Sequence, residues 1–214
     1  RIINFSMIPY GRQSVGRQDI KNLNKVLRSN WLTQGPLVEK FEREICKFVG
    51  AKYAVATNSA SSALHISCLA LGLKPKQHFW TVPNSFVASA NCGLHCKAKV
   101  DFVDIDKHTW NLSPEILKNK LEKIKDKKKI PKVIIPVHFS GQSTEQKEIK
   151  NLSNKYKFKI LEDASHSLGG MYRGEKIGSC KWSDVTVFSF HPVKTITTAE
   201  GGMAVTNNKK IYKE

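Results

Sequence analysis

Polar residues that could carry chemistry follow three apolar segments of this 214-residue chain. The small polar run Asn58–Ser62 comes after the first such segment, Asp163 after the second and Lys194 after the third. A helix that begins in such a run offers backbone N–H groups to an anion such as phosphate. A carboxylate can pair with the protonated ring nitrogen of a heterocycle, and a desolvated lysine amine can attack a carbonyl carbon.

Taken alone, each of these features has a commoner explanation. A serine-rich run is usually a helix N-cap, an aspartate at a strand end often caps the next turn, and most lysines lie on the surface. Pyridoxal 5'-phosphate (PLP), however, needs an anion site, an acid and an amine, for its phosphate, pyridine nitrogen and aldehyde. The three groups together therefore predict a PLP site.

The apolar spacing predicts the elements that must position these groups. Strands are predicted at Tyr53–Ala56, Phe79–Val82, Lys99–Val103, Val133–Val137, Phe158–Glu162, Asp184–Phe190 and Met203–Thr206. Helices are predicted at Arg17–Leu27, Val38–Val49, Ala63–Leu71, Ser85–His95, Thr144–Lys155 and from Pro114 onward, with Ser113 as the cap. Such alternation is typical of an α/β fold with a mostly parallel sheet and helices on both faces. Ligands in such folds bind at the carboxyl ends of the strands, where the three groups lie.

Composition narrows the class of protein. A 40% apolar content with 25% charged residues is typical of a soluble globular protein, and no run approaches the roughly 20 apolar residues that span a bilayer. Residues 1–6 lack the pattern of a secretory signal, and the five cysteines are few and odd in number, so we expect a reduced, cytoplasmic protein. Cys92 and Cys96 enclose His95, but no second ligand pair follows at zinc spacing, so we expect buried thiols and no metal site.

The net charge of +17 raises the possibility of nucleic-acid binding. Many of the lysines fall in one stretch at 118–132, KNKLEKIKDKKKIPK. No aromatic residues interleave with them, as a single-strand binding platform would require. A solvated amphipathic helix with its exit loop is the favoured interpretation, and nucleic acid is not an expected partner.

Eight segments, in this order, resemble the DegT/DnrJ/EryC1/StrS family of aminotransferases that act on nucleotide-linked sugars. They are IPYGRQSVGRQDI, WLTQGPLVEKFE, GAKYAVATNSASSALH, VPNSFVASAN, VDFVDID, VHFSGQ, LEDASHSLGG and VTVFSFHPVKTITTAEGG. The resemblance implies the large domain of a fold-type-I PLP aminotransferase over residues 7–214, with residues 1–6 as an extension. The C-terminal small domain of the family is absent from the sequence, so we expect a chain that is truncated before it.

The resemblance also implies roles for seven residues. Lys194 would be the catalytic residue and would hold PLP as a Schiff base, while Asp163 would face the pyridine nitrogen. Phe86 would stack on the ring, although an aromatic residue in a helix is otherwise most often core. His166 would lie near the ring hydroxyl. The phosphate would be held by Ser189 together with the backbone of Ser61 and Ser62.

Within the family, WTVPNSFVASAN and FSFHPVKTIT look most like enzymes of pseudaminic acid biosynthesis. This implies transfer of an amino group from glutamate to C4 of a UDP-linked 4-keto-6-deoxy-HexNAc sugar, by a homodimer. The alternative is a non-catalytic remnant that binds PLP or serves as a dimerisation module. Two positions depart from the family pattern, since Ala60 and Ala199 stand where glycine is usual. A positive φ at Ala60 would cost roughly 1 kcal/mol.

Overall fold

A computed structural model describes residues 11–214. The expected extension at residues 1–6 and the beginning of the first family segment at residues 8–10 lie outside the described residues. Among those described, no helix has both the length and the apolar character that crossing a membrane requires.

The described chain is organised around a seven-stranded sheet of strand order β1-β9-β8-β5-β4-β2-β3. Its strands are β1 (Tyr53–Thr57), β2 (His78–Thr81), β3 (Lys99–Phe102), β4 (Val133–Ile134), β5 (Lys159–Asp163), β8 (Val185–Ser189) and β9 (Gly202–Thr206). All neighbours pair in parallel except β9, which runs antiparallel to both β8 and β1. A separate two-stranded hairpin is formed by β6 (Met171–Tyr172) and β7 (Glu175–Lys176).

Seven α-helices accompany the sheet in the described residues. They are α1 (Arg17–Leu27), α2 (Pro36–Val49), α3 (Ala60–Ala70), α4 (Ala88–His95), α5 (Pro114–Glu122), α6 (Gln146–Tyr156) and α7 (Lys209–Lys213). Ser113 caps α5 as predicted, because its Oγ accepts the N–H of Ile116 and Pro114 opens the helix.

Helices cover both faces of the sheet. Adjacent residues of β2 show this, since Phe79 packs in the core beneath α3 and α4 whereas Trp80 packs in the core beneath α5 and α6. A third apolar cluster joins α2 to the β8 and β9 end of the sheet. The expected α/β fold with a mostly parallel sheet and helices on both faces is therefore confirmed.

Several boundaries differ from the sequence prediction, and two of them lie near the predicted site. α3 begins at Ala60 and not at Ala63, because Ser59 caps it by accepting the N–H of Ser62. α4 begins at Ala88 and not at Ser85, so Phe86 precedes the helix. The alternation read in β8 was wrong, since all five of its residues are buried. The β6–β7 hairpin and α7 were not predicted.

The cysteines of the α3–α4 layer are buried thiols, as expected. Cys68, Cys92 and Cys96 belong to one apolar cluster, and all five cysteines of the chain are free. Burial also raises the pKa of the Cys180 thiol to about 12, so this thiol is protonated at neutral pH. The Cys180 thiol therefore contributes packing and little nucleophilicity.

The lysine-rich stretch 118–132 is partly helical. Leu117 and Leu121 are buried on the inner face of α5, while the half-buried Lys120 reaches Asp101 with an Nζ–Oδ2 distance of 2.8 Å. An amphipathic helix that ends in an exit loop is the predicted arrangement.

Backbone strain falls on one of the two alanines that replace glycine. Ala60 is the first residue of α3 and has no positive φ, so the cost considered for it does not arise. Ala199 has φ of 67°, in the left-handed region that disfavours side chains.

Ala199→Gly is expected to raise the free energy of unfolding by about 0.5–1 kcal/mol, because it removes this strain at a modest cost in chain entropy. Ala60→Gly, the matched control, should lower it by up to about 1 kcal/mol, because it puts glycine into a helix. Denaturant titration of both variants measures these differences. Equal effects of the two substitutions would contradict the assignment of strain to Ala199.

Candidate active site

The carboxyl ends of the strands border a cavity of about 560 Å³, which is within the range of small-molecule and cofactor sites. The lining includes residues that follow several of the predicted strands, the three singled out in the sequence among them: Ser59, Ala60, Ser61, Asn84, Ser85, Phe86, Asp163, Ser165, His166, Ser189, His191, Val193, Lys194, Glu200 and Gly201, among others. Six of the seven residues singled out in the sequence are among them. The structure therefore brings the three chemical groups of the sequence prediction to one place.

Lys194 lies in the segment that follows β8, and its amine is within 2.5 Å of His166 Nε2. Burial lowers the pKa of the Lys194 amine below that of an ordinary lysine, and the Asp163 carboxylate opposes the shift. The neutral, nucleophilic form of this amine is therefore more populated near neutral pH than that of a surface lysine.

His166 faces both Lys194 and Asp163. Burial lowers the pKa of its imidazole, the charge of Lys194 lowers it further, and Asp163 opposes both effects. A neutral imidazole accepts a hydrogen bond from the Lys194 amine at Nε2, so its own proton is on Nδ1. The histidine thus holds the amine in the cavity without adding positive charge.

Asp163 is the last residue of β5 and is only 5% exposed. Its Oδ1 accepts the Ser165 N–H at 3.1 Å and the Ser165 hydroxyl at 2.6 Å. A second serine hydroxyl, from Ser89, reaches Oδ2. Three donors converge on this buried carboxylate, and hydrogen bonds of this kind stabilise its charged form.

The beginning of α3 forms the anion-binding side of the cavity. We call residues Asn58–Ser62 the serine turn. Ser59 and Ser61 line the cavity, and the first N–H groups of a helix have no partner within it. Ser62 is not among the lining residues, because its N–H is used by the cap and its hydroxyl donates to Asn58 at 2.7 Å. Ser189 also lines the cavity, and its Oγ accepts the His191 N–H at 3.4 Å, which leaves its own proton for another acceptor.

Phe86 is 75% exposed and lines the cavity, so the core alternative for it is wrong. A large apolar ring left open to solvent beside a cavity offers a flat stacking surface.

Sequence reasoning missed several residues of the cavity. Asn84, Ser85, Ser165, His191 and Glu200 also line it. Ser165 had a local signal, because a serine two residues after an aspartate can donate to its side chain. The others are brought there by loops whose paths the apolar pattern does not encode.

No group of three or more His, Cys, Asp or Glu side chains in residues 11–214 is arranged to hold a metal ion.

The residues present fit PLP. An acceptor carboxylate, a lysine with a lowered pKa, a helix N-terminus and an exposed aromatic face all border one cavity. The donor set at the serine turn suits a phosphate, and Asp163 suits a ring nitrogen that carries a proton.

Two known proteins are similar to this chain in sequence. The chain is 44% identical over 205 residues to a UDP-4-amino-4,6-dideoxy-N-acetyl-beta-L-altrosamine transaminase of Campylobacter jejuni, and the match covers 96% of this chain and 53% of that protein. It is 37% identical over 204 residues to the spore coat polysaccharide biosynthesis protein SpsC of Bacillus subtilis, over 95% of this chain and 50% of that protein. The chain spans about half the length of these relatives.

Solved structures show the same fold. Helicobacter pylori PseC, an aminotransferase involved in the biosynthesis of pseudoaminic acid, superposes with a TM-score of 0.86 and 34% identity, over 96% of this chain and 53% of that one. NtdA of Bacillus subtilis with bound cofactor PMP superposes with a TM-score of 0.81 and 31% identity, over 91% of this chain and 42% of that one.

The family model of the DegT/DnrJ/EryC1/StrS aminotransferases matches residues 13–214. Since that match takes in nearly all of the described chain, the protein belongs to the DegT/DnrJ/EryC1/StrS aminotransferase family.

Proposed function

We propose that this chain is the PLP-binding large domain of a sugar aminotransferase, and that the enzyme moves an amino group from glutamate to C4 of a UDP-linked 4-keto-6-deoxy-HexNAc sugar in pseudaminic acid biosynthesis. The observation that carries the proposal is the Lys194 amine, half-buried in the cavity beside His166 with a lowered pKa. The names of the Campylobacter and Helicobacter relatives support the choice of sugar. Free cysteines support a reducing, cytoplasmic setting.

Each residue of the cavity has a proposed task. Lys194 binds the cofactor's aldehyde carbon through Nζ, and Asp163 pairs with the ring nitrogen. The free N–H groups at the start of α3 around Ser61, with the Ser189 hydroxyl, hold the phosphate, whereas the Ser62 N–H expected there is occupied by the Ser59 cap. Phe86 stacks on the ring, and His166 lies beside the ring hydroxyl.

PLP, when bound, supplies an electron-accepting ring that stabilises negative charge at the carbon losing its proton. The remaining work belongs to side chains of this protein. Lys194 Nζ takes the α-proton of the amino donor and later returns a proton, which its lowered pKa permits near neutral pH. Three donors hold the Asp163 carboxylate in place, and it would accept a hydrogen bond from the protonated ring nitrogen.

A homodimer is also part of the proposal. Large apolar side chains remain exposed on the outer face of α3 and α4 and just before α4: Ile66, Leu69, Phe86, Val87 and Leu94. We call these five residues the α3–α4 patch. It adjoins the cavity at Phe86, and contiguous exposed apolar surface of this kind marks protein interfaces. A second copy of the chain that covers the patch would also shield the cavity from water.

Lys194→Ala is expected to abolish the near-ultraviolet to visible absorbance band that PLP gives when it is bound covalently, and to lower amino transfer by about 10²–10⁴-fold, because the proton-transferring amine is lost. Absorbance after PLP addition and transfer from glutamate to the UDP-4-keto sugar are the two measurements. Lys213→Ala, on the exposed face of α7, serves as the control and should change neither.

The same experiment separates the enzyme from a non-catalytic remnant. Wild-type protein that shows the band but transfers no amino group would support a remnant that binds PLP. Wild-type protein without the band at saturating PLP would contradict both the enzyme and the PLP-binding remnant.

The Lys194 amine should titrate below an ordinary lysine amine, and Asp163→Asn should lower its pKa further, because the carboxylate that stabilises the ammonium form is removed. The pH dependence of the lysine ¹³Cε shift in cofactor-free protein measures this, with Lys194→Met identifying the resonance. A rise of the pKa in Asp163→Asn would contradict the assigned electrostatics.

Val87→Glu and Leu94→Glu should each weaken self-association by about 10-fold or more, because each buries a charge at the proposed interface. Sedimentation equilibrium measures the dissociation constant. Ile116→Glu is the matched control, since Ile116 is an exposed apolar residue of α5 on the opposite face of the sheet. Loss of association in all three variants alike would argue against the α3–α4 patch as the interface.

A further inference from the structure

A buried serine lies behind Asp163 and does not line the cavity. Ser89, on the first turn of α4, is 1% exposed, and its hydroxyl donates to Asp163 Oδ2 at 2.6 Å. The two residues are 74 positions apart, so the contact exists only because α4 packs against the β5 region of the sheet. A charge-assisted hydrogen bond this short is among the stronger ones in proteins.

The hydroxyl of Ser85 continues the chain toward the cavity. Its Oγ lies 3.0 Å from Ser89 Oγ. A serine hydroxyl has one proton, and Ser89 gives its proton to a carboxylate that can only accept. Ser85 must therefore be the donor to Ser89. The result is a directed chain from Ser85, which lines the cavity, through Ser89 to Asp163 Oδ2.

The two oxygens of the Asp163 carboxylate differ in how many further hydrogen bonds each can accept. Oδ1 accepts two donors, both from Ser165. Among the described residues, Oδ2 accepts from Ser89 alone. Since each carboxylate oxygen accepts about two hydrogen bonds, Oδ1 is filled by its own loop, while Oδ2 retains one free position.

We propose that Ser89 is a positioning residue, which acts through Asp163 and holds Oδ2 so that its remaining lone pair receives the N–H of the cofactor's pyridine ring. The inference rests on the proposed function and deepens it, because it assigns the ring nitrogen to one oxygen and names the side chain that aims it. Ser165 fixes the rotation of the carboxylate from the other side. Ser89 itself touches no ligand.

The test uses pyridoxamine 5'-phosphate as the probe, since its binding does not need a covalent bond to Lys194. Ser89→Ala should weaken binding about 10-fold by titration calorimetry, because a hydrogen bond to a charged group is lost. Ser89→Thr keeps the hydroxyl and should restore the wild-type dissociation constant. Unfolding of the ligand-free variants, measured in parallel, reports any loss of stability separately.

A double-mutant cycle with Asp163→Asn shows whether Ser89 acts through the carboxylate. In the Asp163→Asn background, Ser89→Ala should have little further effect on the dissociation constant, because no charged oxygen remains to be aimed. The matched control is Ser67→Ala on α3, which removes another buried hydroxyl, 3% exposed and bonded to the Ala63 carbonyl, without touching Asp163. It should leave binding unchanged.

Three results would overturn the inference. Equal losses from Ser89→Ala with and without the Asp163 carboxylate would make the serine a packing residue only. Equal losses from Ser89→Ala and Ser67→Ala would assign the effect to general destabilisation. Wild-type protein that binds neither pyridoxamine 5'-phosphate nor PLP would overturn the proposed function, and the role of Ser89 with it.

Discussion

The burial of the Asp163 carboxylate at the end of β5 is the constraint on which the cavity depends. A buried carboxylate is costly unless donors surround it, and here one loop and one helix supply them. Because the donor from α4 is a side chain 74 positions away, the position of that helix and the orientation of the carboxylate are linked. The negative charge in turn moderates the loss of positive charge from Lys194 and His166.

The order of the strands around β5 determines which residues lie beside this carboxylate. β5 is in the interior of the sheet, with β4 on one side and β8 on the other, so the segment after β8 delivers Lys194 next to Asp163. The topology explains why residues of distant sequence position meet, since parallel neighbours place their carboxyl ends at the same edge. The serine turn reaches the same edge by another route. β1 runs parallel to β8, with antiparallel β9 between them.

Much of the fold and part of the site could be predicted from the sequence, because both depend on local signals. The spacing of apolar residues predicted the strands of the sheet and the helices around it. The polar residues that follow three of these strands identified Lys194, Asp163 and the serine turn as site candidates. Phe86 was placed in a helix because SFVASAN has helical apolar spacing, yet the chain turns there before α4 begins at Ala88. Ser89 could not be found this way. Its hydroxyl reads as an ordinary small residue of a helix, and only the packing of α4 brings it to Asp163. The strain at Ala199 was equally inaccessible, because substitution of the usual glycine at two positions gives no indication of which backbone has a positive φ.

The contact of Gly202 with the serine turn means that the turn is supported only after β9 has been synthesised. This residue opens β9, and a Cβ there would collide with the backbone of Ser59 and Ala60, so strand and turn are in direct contact. β9 pairs with β1 across about 150 residues of sequence, as in the register of Tyr53 with Thr206. While the chain emerges from the ribosome, the gap between β1 and β8 stays open until residues 202–206 have been made. Helices α3 and α4 can form earlier, but the turn at the start of α3 has nothing to rest against. The anion-binding side of the cavity is therefore completed only after β9 has paired with β1.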